Sequence, residues 1–195
     1  MSLKNRIIGL SVIAAAALVV PGAQAANRAD PVCDAPATQL FAPWGDDAFY
    51  QLVDGGTFEA GATGWSLASG ARVVRDLNDG LSAPGVTDEY ALELGPGASA
   101  TSPPICVTND SLSYRFLSNA ISAGTKANLR VEVVYPTKKA TRDNIISPVG
   151  RSVPSPKIKT VRGQFNRTRA VSIRFTSRDD ATVLVDDVYM DPRMH

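Results

Sequence analysis

Leu129-Arg-Val-Glu-Val-Val-Tyr135 sets an apolar or aromatic side chain at every second position, with Arg130 and Glu132 between them. Residues two apart on a strand share a face, so this run predicts a strand with Leu129, Val131, Val133 and Tyr135 in a core and its other face in solvent. The same alternation recurs on either side. Leu112, Tyr114 and Phe116 share one face of Leu112-Ser-Tyr-Arg-Phe-Leu117, and Val171, Ile173 and Phe175 share one face of Val171-Ser-Ile-Arg-Phe175; Arg115, Ser172 and Arg174 fall opposite. Ala71–Arg75, Tyr90–Leu94 and Thr182–Met190 are further short runs rich in β-branched and aromatic residues, bounded by Gly, Pro, Asn, Asp or Ser. Half-buried strands of this kind pair antiparallel and cover their apolar face with a second sheet. The expected fold is all-β, a two-sheet antiparallel β-sandwich of jelly-roll type. No stretch after residue 26 carries ten residues of capped helical periodicity, which argues against alternating strands and helices.

The N-terminus is of another kind. Lys4 and Arg6 precede an uncharged apolar run from Ile7 to Val20, then Pro21-Gly22 and Ala23-Gln24-Ala25. This is the pattern of a secretory signal peptide over residues 1–25, cut after Ala25. The apolar run is fourteen residues, where a spanning helix needs roughly twenty, and nothing later in the chain could cross a bilayer. The mature protein is therefore expected outside the cell, with no membrane insertion after cleavage. Loss of Lys4 and Arg6 leaves 18 basic against 19 acidic side chains. Residues 26–45, with Pro31, Pro36 and Pro43, form an expected extended lead-in, and residues 46–195 the sandwich. The chain has two cysteines, and an exported pair tends to join. A Cys33–Cys106 bridge is expected, closing a loop of about seventy residues worth on the order of 4 kcal/mol.

Charge is divided along the chain: 12 acids and 2 bases lie between Asp30 and Tyr114, and 14 bases and 4 acids between Arg115 and Asp180. Interleaved strands would neutralise these halves across pairs. Alternatively, Lys138, Lys139, Arg142, Arg151, Lys157, Lys159, Arg162, Arg167 and Arg169 would make a basic surface for an anionic cell-envelope polymer. Nucleic acid is not the expected partner, because aromatics are not interleaved with these bases and the chain carries an export signal. The segment from Pro136 to Arg169 breaks the strand rhythm with four prolines and is expected to be a weak hairpin and a long loop.

The most specific local patterns are Leu52-Val-Asp-Gly-Gly-Thr-Phe-Glu-Ala-Gly-Ala-Thr-Gly-Trp65 and Leu184-Val-Asp-Asp-Val-Tyr-Met190. The pair resembles the first and last strands of calcium-containing carbohydrate-binding modules, the galactose-binding-like jelly rolls of secreted bacterial proteins. The resemblance implies that the opening and closing strands are neighbours and that a structural calcium sits where they meet, held by Glu59 and one of Asp186 or Asp187. Six to eight oxygen ligands suit that ion, and clustered carboxylates repel one another without it. Plain alternation puts Asp187 on the face of Val183, Val185 and Tyr189, and Asp186 on that of Leu184, Val188 and Met190. The resemblance also implies exposed rings that stack on sugars. Trp44, Tyr50 and Tyr90 are the candidate ligand contacts, while Trp65 in its Gly-Trp position is expected in the core.

Catalytic chemistry is hard to find. The single histidine, His195, ends the chain, and no Gly-x-Ser-x-Gly, His-Glu-x-x-His or phosphate-cradling glycine loop is present. Asp46-Asp47, Asp179-Asp180 and Asp186-Asp187 are adjacent, which on a strand aims each pair to opposite faces, whereas a glycosidase needs two carboxyl groups facing one sugar. The expected function is a secreted, non-catalytic binding domain for carbohydrate or cell-envelope polymer. The alternative is a structural or protein-interaction β-sandwich without a sugar site.

Overall fold

The computed structural model describes residues 36–75, 88–107, 113–121, 127–135, 142–147, 153–159, 169–178 and 180–191. The expected signal peptide, Cys33 and most of the expected basic surface lie outside the described residues. The strands are β1 (Ala37–Thr38), β2 (Tyr50–Leu52), β3 (Ser66–Ala68), β4 (Arg72–Arg75), β5 (Tyr90–Leu94), β6 (Ser99–Thr101) and β7 (Ile105–Val107). They continue with β8 (Ser113–Ala120), β9 (Asn128–Val134), β10 (Arg142–Ile146), β11 (Val153–Pro154), β12 (Ile158–Lys159), β13 (Arg169–Arg178) and β14 (Val183–Asp191). All six runs singled out by alternation are strands. The only helical turn among the described residues is Ala42–Trp44, closed by Gly45 at φ 76°.

The strands form a jelly-roll sandwich of two antiparallel sheets. In the first, β14 has β8 along one edge and both β5 and β2 along the other; β4 and β1 extend that side, and β11 and β12 pair with β8. The second runs β10-β9-β13-β6-β3, with β7 pairing the start of β13. From the proline-rich segment, β10 pairs antiparallel with the preceding β9, Arg142 opposite Val133 and Ile146 opposite Leu129.

Alternation builds the core. Leu92, Leu94, Tyr114 and Phe116 of the first sheet face Val131, Val133, Ile173 and Phe175 of the second, all fully buried. Each such side chain contributes roughly 1.5–3 kcal/mol relative to exposure. Trp65 is a core residue as expected: its ring lies 5.0 Å from Phe58 and 6.2 Å from Phe175, and its Nε1 donates to the Asp54 carbonyl at 2.9 Å. A second apolar cluster sits on the outer face of the first sheet, where Phe41 and Tyr50 cover Ala91, Leu117, Leu184 and Tyr189. The lead-in is thus partly built into the sandwich, since β1 pairs with β2 and Phe41 is wholly buried.

One expectation fails in β14. Asp186 stands opposite Leu117 and Tyr189 opposite Arg115, so Asp187 and Val188 together span the single position of Phe116. This β-bulge resets the alternation. Val188 and Met190 join Val183 and Val185 in the core between the sheets, while Tyr189 falls with Leu184 in the outer cluster. Asp187 takes a left-handed backbone, φ 48°.

Candidate ion site and ligand faces

The bulge lies where β14 changes partners. β5 pairs with Val183–Val185 and β2 with Tyr189 and Met190, leaving a fork between them. The turn after β2 closes the fork: Val53 N donates to the Val188 carbonyl at 2.9 Å, and Val188 N donates to the Gly56 carbonyl at 3.1 Å. Only glycine suits position 56, because a Cβ there would lie 2.8 Å from the carbonyl oxygens of Val188 and Val53. The opening and closing motifs are therefore neighbours, as the resemblance implies.

Three carboxylates converge at this fork. One oxygen from each of Asp88, Asp186 and Asp187 lies within 4.8 Å of the others. Asp186 and Asp187 are each 1% exposed, and Asp186 Oδ1 accepts the Asp187 amide at 2.8 Å. Both oxygens of Asp88 are buried with no hydrogen-bond partner. Burial, followed by Glu59 and the charge of Asp187 beside it, pushes Asp88 up to about 8. Burial and then the charges of Asp88 and Asp187 push Asp186 up to about 10. A group of acidic oxygens this close and this dry is short of positive charge, which fits a hard divalent cation.

Glu59 lies beside this trio, against Asp88, and not within it. It is exposed, and its Oε1 accepts the backbone amides of Glu89 and Tyr90 at 2.8 and 2.7 Å. It braces the chain beside Asp88, and Asp88 takes the place in the trio that the sequence pattern assigned to Glu59. Nothing local in Asp88-Glu89-Tyr90 signals this; the meeting depends on β5 starting at the bulge of β14.

The three expected ligand aromatics are not brought together. Trp44 is 36% exposed on the turn after β1, its ring 6.1 Å from Phe41. Tyr90 is 38% exposed at the start of β5, next to the carboxylates. Tyr50 is fully buried and its hydroxyl donates to Asp46 Oδ2 at 2.6 Å, so it is a core residue and shows no face to a ligand. Cys106 is buried on β7 and is not a free thiol.

The outer face of the second sheet was not singled out from sequence, and it is mostly polar, with Ile145 of β10 exposed opposite Arg130 at its edge. One cross-strand row runs Glu132, Arg174, Thr101, Ser66, and the next runs Arg130, Thr176, Ser99, Ala68. All but Glu132 are partly or fully exposed. Glu132 lies under the arginines at 6% exposure, its Oε1 3.1 Å from Arg130 Nη2. Arg174 Nε donates to Thr101 Oγ1 at 3.2 Å.

No protein-family model and no curated protein matches the chain. Solved structures match it in fold. An arabinose-bound α-L-arabinofuranosidase aligns at a TM-score of 0.54 and 9% identity over 74% of this chain and 27% of that one, about a quarter of the enzyme. A family 16 carbohydrate-binding module aligns at 0.48 and 16% identity, covering 72% of this chain and 99% of the module. A family 61 module in complex with β-1,4-galactotriose aligns at 0.47 and 18% identity, covering 71% and 96%. At these identities the likeness is one of fold alone.

Proposed function

We propose that the chain is a secreted, non-catalytic carbohydrate-binding domain stabilised by a calcium ion at Asp88, Asp186 and Asp187. The observation that carries the binding role is the outer face of the second sheet. Sheet faces exposed in a sandwich are commonly mixed, but here two adjacent rows present hydroxyls and guanidinium groups across four strands. Such rows offer donors and acceptors in the density that a sugar's hydroxyls need. Trp44 and Tyr90 add exposed rings at two other places. A glycan array probed with the secreted form tests the reading. Binding to at least one glycan class is expected, and a blank array from protein with a cooperative melt overturns it.

The ion's part is structural. Bound, it would supply the positive charge that lets the two ends of the domain close on each other; the chain's own residues shape the site through the bulge, Gly56 and the Glu59 brace.

The Cys33–Cys106 bridge belongs to the same proposal, since an exported domain meets an oxidising space. Denatured protein is expected to show no titratable thiol without reductant, and reduction is expected to destabilise the fold by on the order of 4 kcal/mol. Two thiols titrating before reduction would remove the bridge.

A further inference from the structure

The outer face of the second sheet also carries information about which saccharide it takes. Arg130, Arg174 and Arg178 fall on this face through their pairing with Thr176, Glu132 and Asn128. Glu132 is the one acid among the described side chains of this face. Three guanidinium groups against one carboxylate leave the described part of the face net positive. The cationic groups are also the more accessible ones: the Arg130 side chain is 38% exposed and Arg178 is exposed, while Glu132 is buried beneath.

Two chemical features point the same way. Among the described residues no aromatic side chain lies on this face, so its described part offers no ring on which an uncharged pyranose could stack. A guanidinium has five N–H donors, and Arg174 uses its Nε on Thr101, which fixes the plane of the group and leaves the Nη donors for a partner. A planar fork of that kind matches a carboxylate with two parallel hydrogen bonds. The neighbouring hydroxyls of Ser66, Ser99 and Thr101 suit the remainder of a sugar ring.

We infer that this face binds an acidic polysaccharide, with Arg174 as the principal carboxylate contact and Arg130 beside it. The inference rests on the carbohydrate reading above and narrows it to uronate-bearing chains. The test is affinity electrophoresis and calorimetry of the full secreted chain against sodium polygalacturonate and, as the uncharged counterpart, β-1,4-galactan. Polygalacturonate is expected to bind, and to weaken at least ten-fold between 50 and 500 mM salt, since exposed charges are screened over that range. Arg174→Gln, which can still bond Thr101, is expected to weaken it about ten-fold with the melting temperature unchanged. Arg174→Lys, which keeps the charge but loses the fork, is expected to fall between. Binding of galactan that matches or exceeds that of polygalacturonate would overturn the acidic class while keeping the carbohydrate role. Polygalacturonate binding that Arg174→Gln leaves intact would overturn this face as the site. A folded protein that binds neither polymer and gives a blank glycan array would overturn the carbohydrate reading itself.

Discussion

Calcium added to metal-stripped protein is expected to raise its melting temperature by roughly 5–10 °C. An ion at about a hundred times its dissociation constant stabilises a fold by about 2.7 kcal/mol, and each kcal/mol moves a domain of this size by about 2–4 °C. The cause is local. Asp88, Asp186 and Asp187 are held within 4.8 Å of one another at the fork of β14, two of them almost wholly out of solvent. Without a cation, closing the first strand region on the last requires these buried acids either to repel one another or to take up protons. Asp88→Asn and Asp186→Asn are each expected to abolish the calcium-dependent rise, while in the metal-free protein they are neutral or stabilising, because burial among carboxylates already favours the uncharged form that the amide replaces. Glu59→Gln separates bracing from ligation: its amide oxygen can still accept from Glu89 and Tyr90, so most of the rise is expected to survive. Magnesium is expected to give less, because it demands a tighter octahedral site and sheds water reluctantly. A wild-type melting temperature that ignores both calcium and chelator would remove the ion, and equal losses in Glu59→Gln and Asp88→Asn would return Glu59 to the ligand set.

What the sequence announces depends on how far each strand obeys a period of two. β9 and β13 are long, unbulged and half-buried, so Leu129, Val131, Val133, Ile173 and Phe175 mark their inner faces directly. β14 is buried along its whole length on both faces, so burial gives no alternating signal there, and the bulge at Asp187 shifts the phase at the point where the three carboxylates meet. The placement of Val188 and Met190 was consequently misread from pattern alone. Strands of two or three residues, such as β1, β3 and β11, are too short to show a period at all. The Asp pair and the Gly-Phe-Glu region were visible because they are compact motifs. Asp88 was not, since its partners are set by topology, nearly a hundred residues away. The same holds for the polar rows of the second sheet, where Ser66, Thr101 and Arg174 come from three separate strands. Tyr50 shows the converse error: the resemblance made it a candidate contact, but it is fully buried with its hydroxyl on Asp46.

That hydrogen bond belongs to the network whose loss is expected to be the most damaging in the chain. Asp46 is 8% exposed and receives Arg115 Nη1 at 2.6 Å, Tyr50 Oη at 2.6 Å and Lys157 Nζ at 2.8 Å. Arg115 in turn donates its Nε to the Ser155 carbonyl and lies 4.9 Å over the Phe41 ring. One carboxylate thus fastens the lead-in to β8 and to the segment between β11 and β12. Asp46→Ala leaves Arg115 nearly buried without its counter-charge, and is expected to destabilise by about 3 kcal/mol, or roughly 6–12 °C. Burial alone would raise the Asp46 carboxyl, but the hydrogen bonds from Lys157, Tyr50 and Arg115 outweigh it and hold the group at about 2. Its value in the unfolded chain is about 3.9. A group depressed on folding gives its stability in full above the unfolded value and loses it as pH falls toward the folded one, so the window is from about pH 4 down to about pH 2. The amount at stake is about 2 kcal/mol, with the Lys157 share reduced by salt because that side chain is half exposed. Denaturant unfolding from pH 6 to pH 2 is therefore expected to show a falling limb in the wild type that is shallower by about that amount in Asp46→Asn. Parallel limbs in the two proteins would mean that the acid sensitivity resides in other carboxylates and that this network is held by packing instead of charge.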